Sequence, residues 1–188
     1  MIINKEILRT KYLNIRKNIS NKEEVSKSTF SLVKELDVYK KSKVIALFSS
    51  MKDEIDTTFF ALLCLKDHKK ICYPKSFREG KMEFYYVDSL NDLIDVGPFK
   101  IKEPIENKEK LVIKKDIDLM IMPGIVFDYD RNRVGFGKGY YDHYLLGNYN
   151  IYKLAVTFDE LIMKDDRISI SDNDVKVDMI LSLHNLIK

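Results

Sequence analysis

Cysteine, tryptophan and long apolar runs are scarce in this 188-residue sequence, which has two cysteines and no tryptophan. Cys64 and Cys72 stand among apolar neighbours and show no metal-binding or disulfide spacing, so we expect both to be buried and reduced. The longest apolar runs, such as residues 44–48, are about five residues long, whereas a membrane-spanning helix needs about twenty. The first residues lack the pattern of a secretory signal. These absences predict a cytoplasmic protein without a membrane partner.

Neither sign of charge dominates the sequence. It contains 32 basic and 29 acidic residues, a net charge of +3, and the two signs are interspersed. A surface that binds nucleic acid would gather its basic residues into a patch, so nucleic acid is not a predicted partner. The small positive excess favours an anionic small molecule, although an ordinary mixed surface would have the same composition. The length and the 45% apolar content suit one globular domain over residues 1–188.

The apolar pattern predicts helices and strands in alternation. Helical spacing marks residues 5–19 and a second helix up to about residue 36, whose start resembles a capping box formed by Ser20 and Glu23. Two later helices are expected around residue 60 and from residue 140 to about 146. The predicted strands cover residues 44–48, 70–73, 82–87, 119–122, 153–157 and 175–181, with Pro74 ending the second and no regular element between residues 90 and 115. Such alternation predicts an α/β fold with a mostly parallel central sheet flanked by helices.

The densest chemical signal is a glycine-rich stretch at residues 133–142. Its three glycines, at alternate positions, let the backbone turn tightly and approach a ligand closely. Where such a loop runs into a helix, free N–H groups and the helix dipole favour an anion. Arg133 and Lys138 add two cations, and Asp142 is placed to reach a metal ion beside bound phosphates. The stretch therefore predicts a phosphate-binding loop.

Glycine spacing alone does not identify the ligand of this stretch. It lacks the GxxxxGK[ST] order of a P-loop, and its glycines miss the GxGxxG spacing of dinucleotide-binding proteins. A tight turn without a ligand would also explain the glycines. The accompanying Arg133, Lys138 and Asp142 favour the phosphate interpretation.

Three further features are candidates for ligand binding. Lys5 and Arg9 are four residues apart on a predicted helix, so they share a face that an anion would stabilise. Glu54 follows a predicted buried strand, where loops line the ligand crevice of an open parallel sheet. Asp174 and Asp178 share the polar face of a predicted strand, and Asp178 is a candidate second carboxylate for a metal. For each feature, ordinary solvent-exposed surface is the alternative interpretation.

Together these segments resemble the 5-formyltetrahydrofolate cyclo-ligase family. The resemblance rests on the sequence DLMIMPGIVFD at residues 118–128, followed by RVGFGKGYYD at residues 133–142. Other landmarks of the family occur in the same order along the chain, at residues 5–9, 51–57, 101–104 and 174–178. The resemblance therefore covers nearly the whole chain.

The resemblance implies a three-layer α/β/α fold and an ATP- and magnesium-dependent ligase of folate one-carbon metabolism. Such an enzyme converts 5-formyltetrahydrofolate to 5,10-methenyltetrahydrofolate through phosphorylation of the formyl oxygen, and it releases ADP and phosphate. A monomer is expected. Two alternatives stay open: an ATP-using enzyme of the same fold with another substrate, and a folate- or nucleotide-binding protein without turnover.

The resemblance also implies a role for each matching residue. Lys138, Arg133 and Tyr141 are the expected catalytic residues, and Asp142 and Asp178 the expected magnesium ligands. ATP would be bound by Lys5, Glu6, Ile7, Leu8, Arg9, Arg133, Val134, Gly135, Phe136, Gly137, Lys138, Gly139, Tyr140 and Tyr141. The folate would be bound by Ser49, Glu54, Phe136, Gly137, Lys138, Gly139 and Tyr140.

Four residues depart from the family pattern: Ser49, Phe136, Leu161 and Asn173. Their positions suggest changes in the folate pocket, which is why an altered substrate remains an alternative. The predicted phosphate and metal residues are not among them.

Overall fold

The computed structural model describes residues 1–95, 101–147 and 150–188. These ranges contain five α-helices: α1 Lys5–Asn18, α2 Lys22–Val33, α3 Asp37–Lys41, α4 Thr58–Lys66 and α5 Tyr140–Leu145. They also contain fourteen strands: β1 Ile2–Ile3, β2 Val44–Ala46, β3 Lys70–Ser76, β4 Met82–Val87, β5 Leu93–Asp95, β6 Lys102–Pro104, β7 Leu119–Met122, β8 Val126–Asp128, β9 Arg133–Val134, β10 Tyr152–Val156, β11 Ile162–Met163, β12 Arg167–Ile168, β13 Met179–Leu181 and β14 Leu186–Ile187.

A seven-stranded sheet in the order β14-β13-β10-β7-β2-β3-β4 forms the centre of the molecule. The five inner strands run parallel, and the two edge strands, β14 and β4, are antiparallel to their neighbours. The chain passes from β2 outward to β3 and β4, then returns to β7 and continues to the other edge. The strand order therefore reverses between β2 and β7, and a crevice is expected at the carboxyl ends of these two strands.

Side chains of the inner strands alternate between two cores. Ile45 and Leu47 pack with α1, α2 and α4 on one face, whereas Val44 and Ala46 pack on the other face beside α5. Because both faces are covered, the inner strands consist of nearly continuous apolar residues. The predicted layers and mostly parallel sheet are confirmed. The second helical layer is thin, since it consists of α5 and short 3₁₀ turns.

The prediction that Pro74 ends a strand is wrong. Strand β3 continues to Ser76, and Pro74 is paired with Phe84 of β4. Lys70 and Cys72 direct their hydrogen-bonding groups toward the β2 side, so Pro74 two residues later faces that same side. Strand β2 has already ended there, and the missing N–H of proline therefore costs no ladder bond.

Other element boundaries also differ from the sequence predictions. Helix α2 begins after Asn21, which has a left-handed φ of 54°, so the capping box of Ser20 and Glu23 is not formed. Helix α3 was missed because it is only five residues long. No strand is predicted between residues 123 and 139, yet β8 and β9 form a hairpin there, and the last predicted strand begins at Met179 rather than at residue 175.

Two predictions about apolar segments can be compared with the described residues. In that part of the chain, no helix is both long and apolar enough to cross a membrane. Cys64 and Cys72 are both buried and unpaired, as expected. Burial raises the pKa of the Cys64 thiol to about 12, so this cysteine stays protonated and unreactive near neutral pH.

The predicted irregular stretch at residues 90–115 contains β5 and β6, while its residues 96–100 lie outside the described ranges.

Candidate active site

A cavity lies at the carboxyl ends of β2, β3 and β7, where the strand order reverses. Its volume is about 510 Å³, in the range of small-molecule sites. Ser49 follows β2 and Pro123 follows β7, so the switch point of the sheet forms its floor. The cavity is lined by Lys5, Arg9, Phe48, Ser49, Met51, Glu54, Pro74, Ser76, Met82, Ile101, Pro123, Arg133, Gly135, Phe136, Gly137, Lys138, Gly139, Tyr140, Tyr141, Asp142 and Asp174.

One wall of the cavity is the glycine loop, residues 135–139, which joins β9 to α5. Gly137 and Gly139 have φ values of 87° and 68°, a left-handed backbone that glycine adopts without strain. A Cβ on Gly137 would lie 3.2 Å from the guanidinium of Arg9, whose Nε donates to the Gly135 carbonyl at 2.8 Å. The glycines therefore let a cation from α1 lie directly against the loop. Helix α5 has only six residues, so the loop and these cations are the main anion-binding elements.

Asp142 and Arg133 form an ion pair beneath the glycine loop. Nη2 of Arg133 donates to Oδ1 of Asp142 at 2.7 Å, and the backbone N–H of Val175 donates to the same oxygen at 3.1 Å. Arg133 is buried, and its Nε has no hydrogen-bond partner among the described residues. The pair fixes the start of α5 against the loop that carries Asp174. It leaves Oδ2 of Asp142 outside both of these bonds.

A second ion pair joins the first helix to the loop before β13. Nζ of Lys5 donates to Oδ2 of Asp174, and Ser171 donates to that oxygen through both its N–H and its hydroxyl. Burial alone would raise the pKa of Asp174, but the bonds from Lys5 and Ser171 outweigh burial and lower the pKa. Asp174 is therefore a carboxylate at neutral pH. Because Val175 bonds to Asp142, Asp174 is held beside that second carboxylate.

The structure does not bring Asp178, the predicted magnesium ligand, into the cavity. Its Oδ2 accepts a bond from the Lys153 backbone N–H and an ion pair from Lys153 Nζ, both at 2.7 Å. The predicted strand over residues 175–181 would have placed Asp174 and Asp178 on one face. Since residues 174–178 are not a strand, the two side chains diverge, and Asp174 is the one that lines the cavity.

Glu54 also lines the cavity and is almost fully buried. Its Oε2 accepts a bond from the Met51 N–H at 2.9 Å, and its Oε1 accepts one from Arg16 at 3.3 Å. Burial raises the pKa of Glu54, while the Met51 N–H and Arg16 act to lower it. An acceptor fixed in this way can bind the N–H groups of a heterocyclic ligand.

Several residues predicted from the resemblance lie elsewhere. In the block at residues 5–9, Lys5 and Arg9 line the cavity, Glu6 and Ile7 face solvent, and Leu8 is in the core. Val134 is also buried in the core. These placements leave only Lys5 and Arg9 of that block with side chains toward a ligand.

The remaining predicted residues do line the cavity. Lys138 is exposed and has no ion pair within the described ranges. Tyr140 donates its hydroxyl to the Phe77 carbonyl at 3.2 Å, and Ser49 donates to the Lys102 carbonyl. The pKa of Tyr141 is raised by burial and by the charge of Glu54, so its hydroxyl stays protonated.

Sequence reasoning did not assign Arg16 to this region, although Leu161 was expected to affect the folate pocket. Arg16 is 5% exposed and pairs with Glu54. The signal was available, because Leu8, Tyr12 and Arg16 are spaced by four and share the buried face of α1. Leu161 is buried beside Arg16 and Glu54 in a small adjoining cavity, whereas the other departure, Asn173, is exposed.

The fold and cavity define an α/β protein with a cation-lined pocket at the switch point of its sheet. The model of the 5-formyltetrahydrofolate cyclo-ligase family matches residues 2–182. The chain belongs to that family.

Relatives of known sequence or structure agree with this assignment. A 5-formyltetrahydrofolate cyclo-ligase of Mus musculus is 33% identical over 153 residues, covering 76% of this chain and 74% of the mouse protein. A probable 5-formyltetrahydrofolate cyclo-ligase of Schizosaccharomyces pombe is 28% identical over 168 residues, covering 83% of this chain and 82% of that protein. The solved structure of 5,10-methenyltetrahydrofolate synthetase from Aquifex aeolicus superposes with a TM-score of 0.84 at 33% identity, covering 98% of this chain and 92% of that one.

Proposed function

We propose that this pocket is the active site of an ATP-dependent enzyme that converts 5-formyltetrahydrofolate to 5,10-methenyltetrahydrofolate. The observation that carries the proposal is the glycine loop with Arg9 laid against it, in a chain that belongs to the cyclo-ligase family over residues 2–182. Lys5, Arg133 and Lys138 bring the number of cations that line the pocket to four. Cations and backbone N–H groups converging on one space suit a polyphosphate.

The chemistry needs the formyl oxygen to become a leaving group. A formyl amide is a poor electrophile, because the amide nitrogen donates electrons into the carbonyl. Attack of the formyl oxygen on the terminal phosphorus of ATP forms a C–O–P linkage and expels ADP. The second folate nitrogen then attacks the formyl carbon, and phosphate departs with the C–O electron pair as the ring closes.

The protein contributes positioning and charge stabilisation to both steps. Lys138 is exposed at the loop and free to follow the transferring phosphoryl group, while Lys5 and Arg9 hold the remaining phosphates from α1. Arg133 neutralises charge from below the loop, where Asp142 fixes its orientation. These roles match phosphoryl transfer, in which oriented cations supply most of the stabilisation. No side chain has to act as a covalent nucleophile.

The folate is proposed to bind between Glu54 and Phe136. Glu54 offers a carboxylate to the N–H groups of the pterin ring, and the half-exposed Phe136 ring offers an apolar surface. Ser49, Tyr140 and Tyr141 complete this side of the pocket.

The carboxylates of the pocket fit a magnesium ion. Asp142 and Asp174 would hold it together with phosphate oxygens of ATP, because Mg²⁺ favours one or two carboxylates beside substrate phosphates. The described residues contain no group of three or more histidine, cysteine or acidic side chains arranged for a metal, so phosphate oxygens and water would complete the coordination. The ion would neutralise phosphate charge.

A monomeric enzyme stays a prediction from the sequence. A cytoplasmic location stays a prediction from the sequence.

The activity is tested by mixing the protein with ATP, Mg²⁺ and 5-formyltetrahydrofolate and following the absorbance of 5,10-methenyltetrahydrofolate. We expect absorbance to rise only when all three are present, with one ADP formed per product. Absence of product with ATP consumed on another amide would favour the alternative substrate. Binding of folate or ATP without ADP release would favour the non-catalytic alternative.

The metal assignment is tested with Asp174→Asn and its matched control Asp178→Asn. We expect the magnesium concentration for half-maximal rate to rise at least tenfold for Asp174→Asn and to stay unchanged for Asp178→Asn. The reverse result would identify Asp178, and not Asp174, as the second magnesium ligand.

A further inference from the structure

A buried ion pair joins the first helix to the proposed folate side of the pocket. Arg16 is 5% exposed, and its Nη1 donates to Oε1 of Glu54 at 3.3 Å. Removing both charges from water costs several kcal/mol per ion before their attraction repays it. Such a pair is weak evidence for stability, so its presence calls for another explanation.

The geometry of the pair is poor for a purely structural role. Guanidinium and carboxylate groups bind most strongly through two parallel bonds, whereas Arg16 makes one bond to Glu54. Nε of Arg16 is buried and has no hydrogen-bond partner among the described residues. A buried donor without a partner is destabilising. Well-packed apolar side chains would often be as stable here.

What the pair does accomplish is to fix one carboxylate oxygen of Glu54 and to place a cation beside it. Burial raises the pKa of Glu54, and only the Met51 N–H and Arg16 oppose this rise. The other titratable group that faces Glu54 is Tyr141 on α5, whose pKa is raised by burial first and then by Glu54, so it contributes no positive charge. Loss of Arg16 would remove one of these two opposing contacts and raise the pKa of Glu54 further.

The same guanidinium also contacts the glycine loop. Its central carbon lies 5.4 Å from the ring centre of Phe136, within the range of a cation–π contact. Phe136 is 44% exposed and would otherwise be free to move. Arg16 therefore touches one residue on each side of the proposed folate site.

We propose that Arg16 is a positioning residue that holds Glu54 as an oriented acceptor and holds the Phe136 ring in place, without itself touching either substrate. The inference rests on the proposed function, because it takes Glu54 and Phe136 to contact the folate. It assigns the buried face of α1 to folate recognition and the cationic face, with Lys5 and Arg9, to ATP.

The test compares KM for 5-formyltetrahydrofolate in Arg16→Met, Arg16→Lys and Glu54→Gln between pH 6.5 and 9, as ratios to the wild-type value. For Arg16→Met we expect a ratio of ten or more at pH 7 that falls as pH rises and Glu54 ionises. Arg16→Lys, which keeps the charge, should have a smaller ratio without the pH dependence. Lys17→Met removes an exposed cation from the same helix and should leave KM unchanged.

Glu54→Gln separates this inference from the proposed function. We expect its KM ratio to be high at every pH, and the double variant with Arg16→Met to behave in the same way. A pH-independent ratio for Arg16→Met, or an equal rise in KM for ATP, would show a merely structural role and overturn the inference. An unchanged KM in Glu54→Gln would contradict the proposed folate contact itself. Arg16→Gln replaces Arg16→Met in all comparisons if the latter does not fold.

Discussion

At the scale of single residues, the charged side chains of the pocket differ in whether they form an ion pair within the protein. Arg133 and Lys5 are each committed to a carboxylate, whereas Lys138 has no ion pair within the described part of the chain. A cation that is exposed and unengaged can move with a transferring group. Lys138 is therefore the residue whose removal should affect chemistry most and folding least.

We expect Lys138→Ala to lower kcat by a hundred- to a thousandfold, since losing one donor to developing charge costs about 3–4 kcal/mol. The midpoint of thermal unfolding should stay within a few degrees of the wild-type value, because the side chain is exposed. Single-turnover kinetics and thermal unfolding measure the two effects. Lys176→Ala removes another exposed lysine outside the pocket lining and serves as the control. Equal turnover in both variants would exclude Lys138 from catalysis.

Sequence reasoning found the site residues whose spacing is local. The glycine loop is contiguous, and Lys5 and Arg9 share a helix face by simple periodicity, and the structure has both segments lining the cavity. The choice between Asp174 and Asp178 depended on whether five residues were extended. The conformation of these five residues depends on the bonds from Lys5 to Asp174 and from Lys153 to Asp178, and both lysines are distant in sequence.

At the scale of elements, the end of a helix is determined by the backbone conformation of the residues that follow it. Helix α4 ends in a Schellman arrangement, with the Lys69 N–H bonded to the Cys64 carbonyl and the His68 N–H bonded to the Leu65 carbonyl. This motif requires a left-handed residue, and His68 supplies it with a φ of 55°. Glycine would adopt that backbone without a clash from Cβ.

We predict that His68→Gly raises the free energy of unfolding by about 0.5–1 kcal/mol, because relief of left-handed strain exceeds the entropy that glycine adds to the unfolded chain. His68→Ala removes the same exposed side chain but keeps the Cβ, so it should give no such gain. Urea unfolding of both variants measures the difference. A gain in the alanine variant would point to the imidazole rather than to the backbone.

The elements that sequence reasoning missed are those set by neighbours. Continuous apolar runs identified β2 and β7, because strands that are buried on both faces consist almost entirely of apolar residues. Strand β3 passes through Pro74 only because β2 stops short beside it. The β8–β9 hairpin is held by buried Asp128, which accepts bonds from the N–H groups of Asn132 and Ile168. Neither feature follows from local propensity.

At the scale of the whole molecule, acid stability is set by carboxylates that accept several bonds in the folded state. Burial acts to raise the pKa of Asp159, but bonds from Ser182, His184 and Asn185 outweigh it and lower the pKa. A carboxyl with a lowered folded pKa stabilises the protein above its unfolded value, near 3.9, and this contribution is lost as pH falls through the folded pKa.

We expect the free energy of unfolding to fall below about pH 4, with each such carboxyl contributing a slope of at most about 1.4 kcal/mol per pH unit. Asp159→Asn should be less stable than wild type at pH 7, and the difference should shrink toward pH 2.5. Urea unfolding across this pH range measures it. A difference that stays constant with pH would mean that the Asp159 charge is not responsible.

The ion pair between Lys5 and Asp174 closes the pocket with two residues that are 169 positions apart. A nucleotide bound between α1 and the glycine loop would therefore oppose the fraying of both α1 and the loop before β13. The occupied enzyme would survive exposure to a protease longer than the empty one. Its cellular lifetime would then depend on the supply of nucleotide.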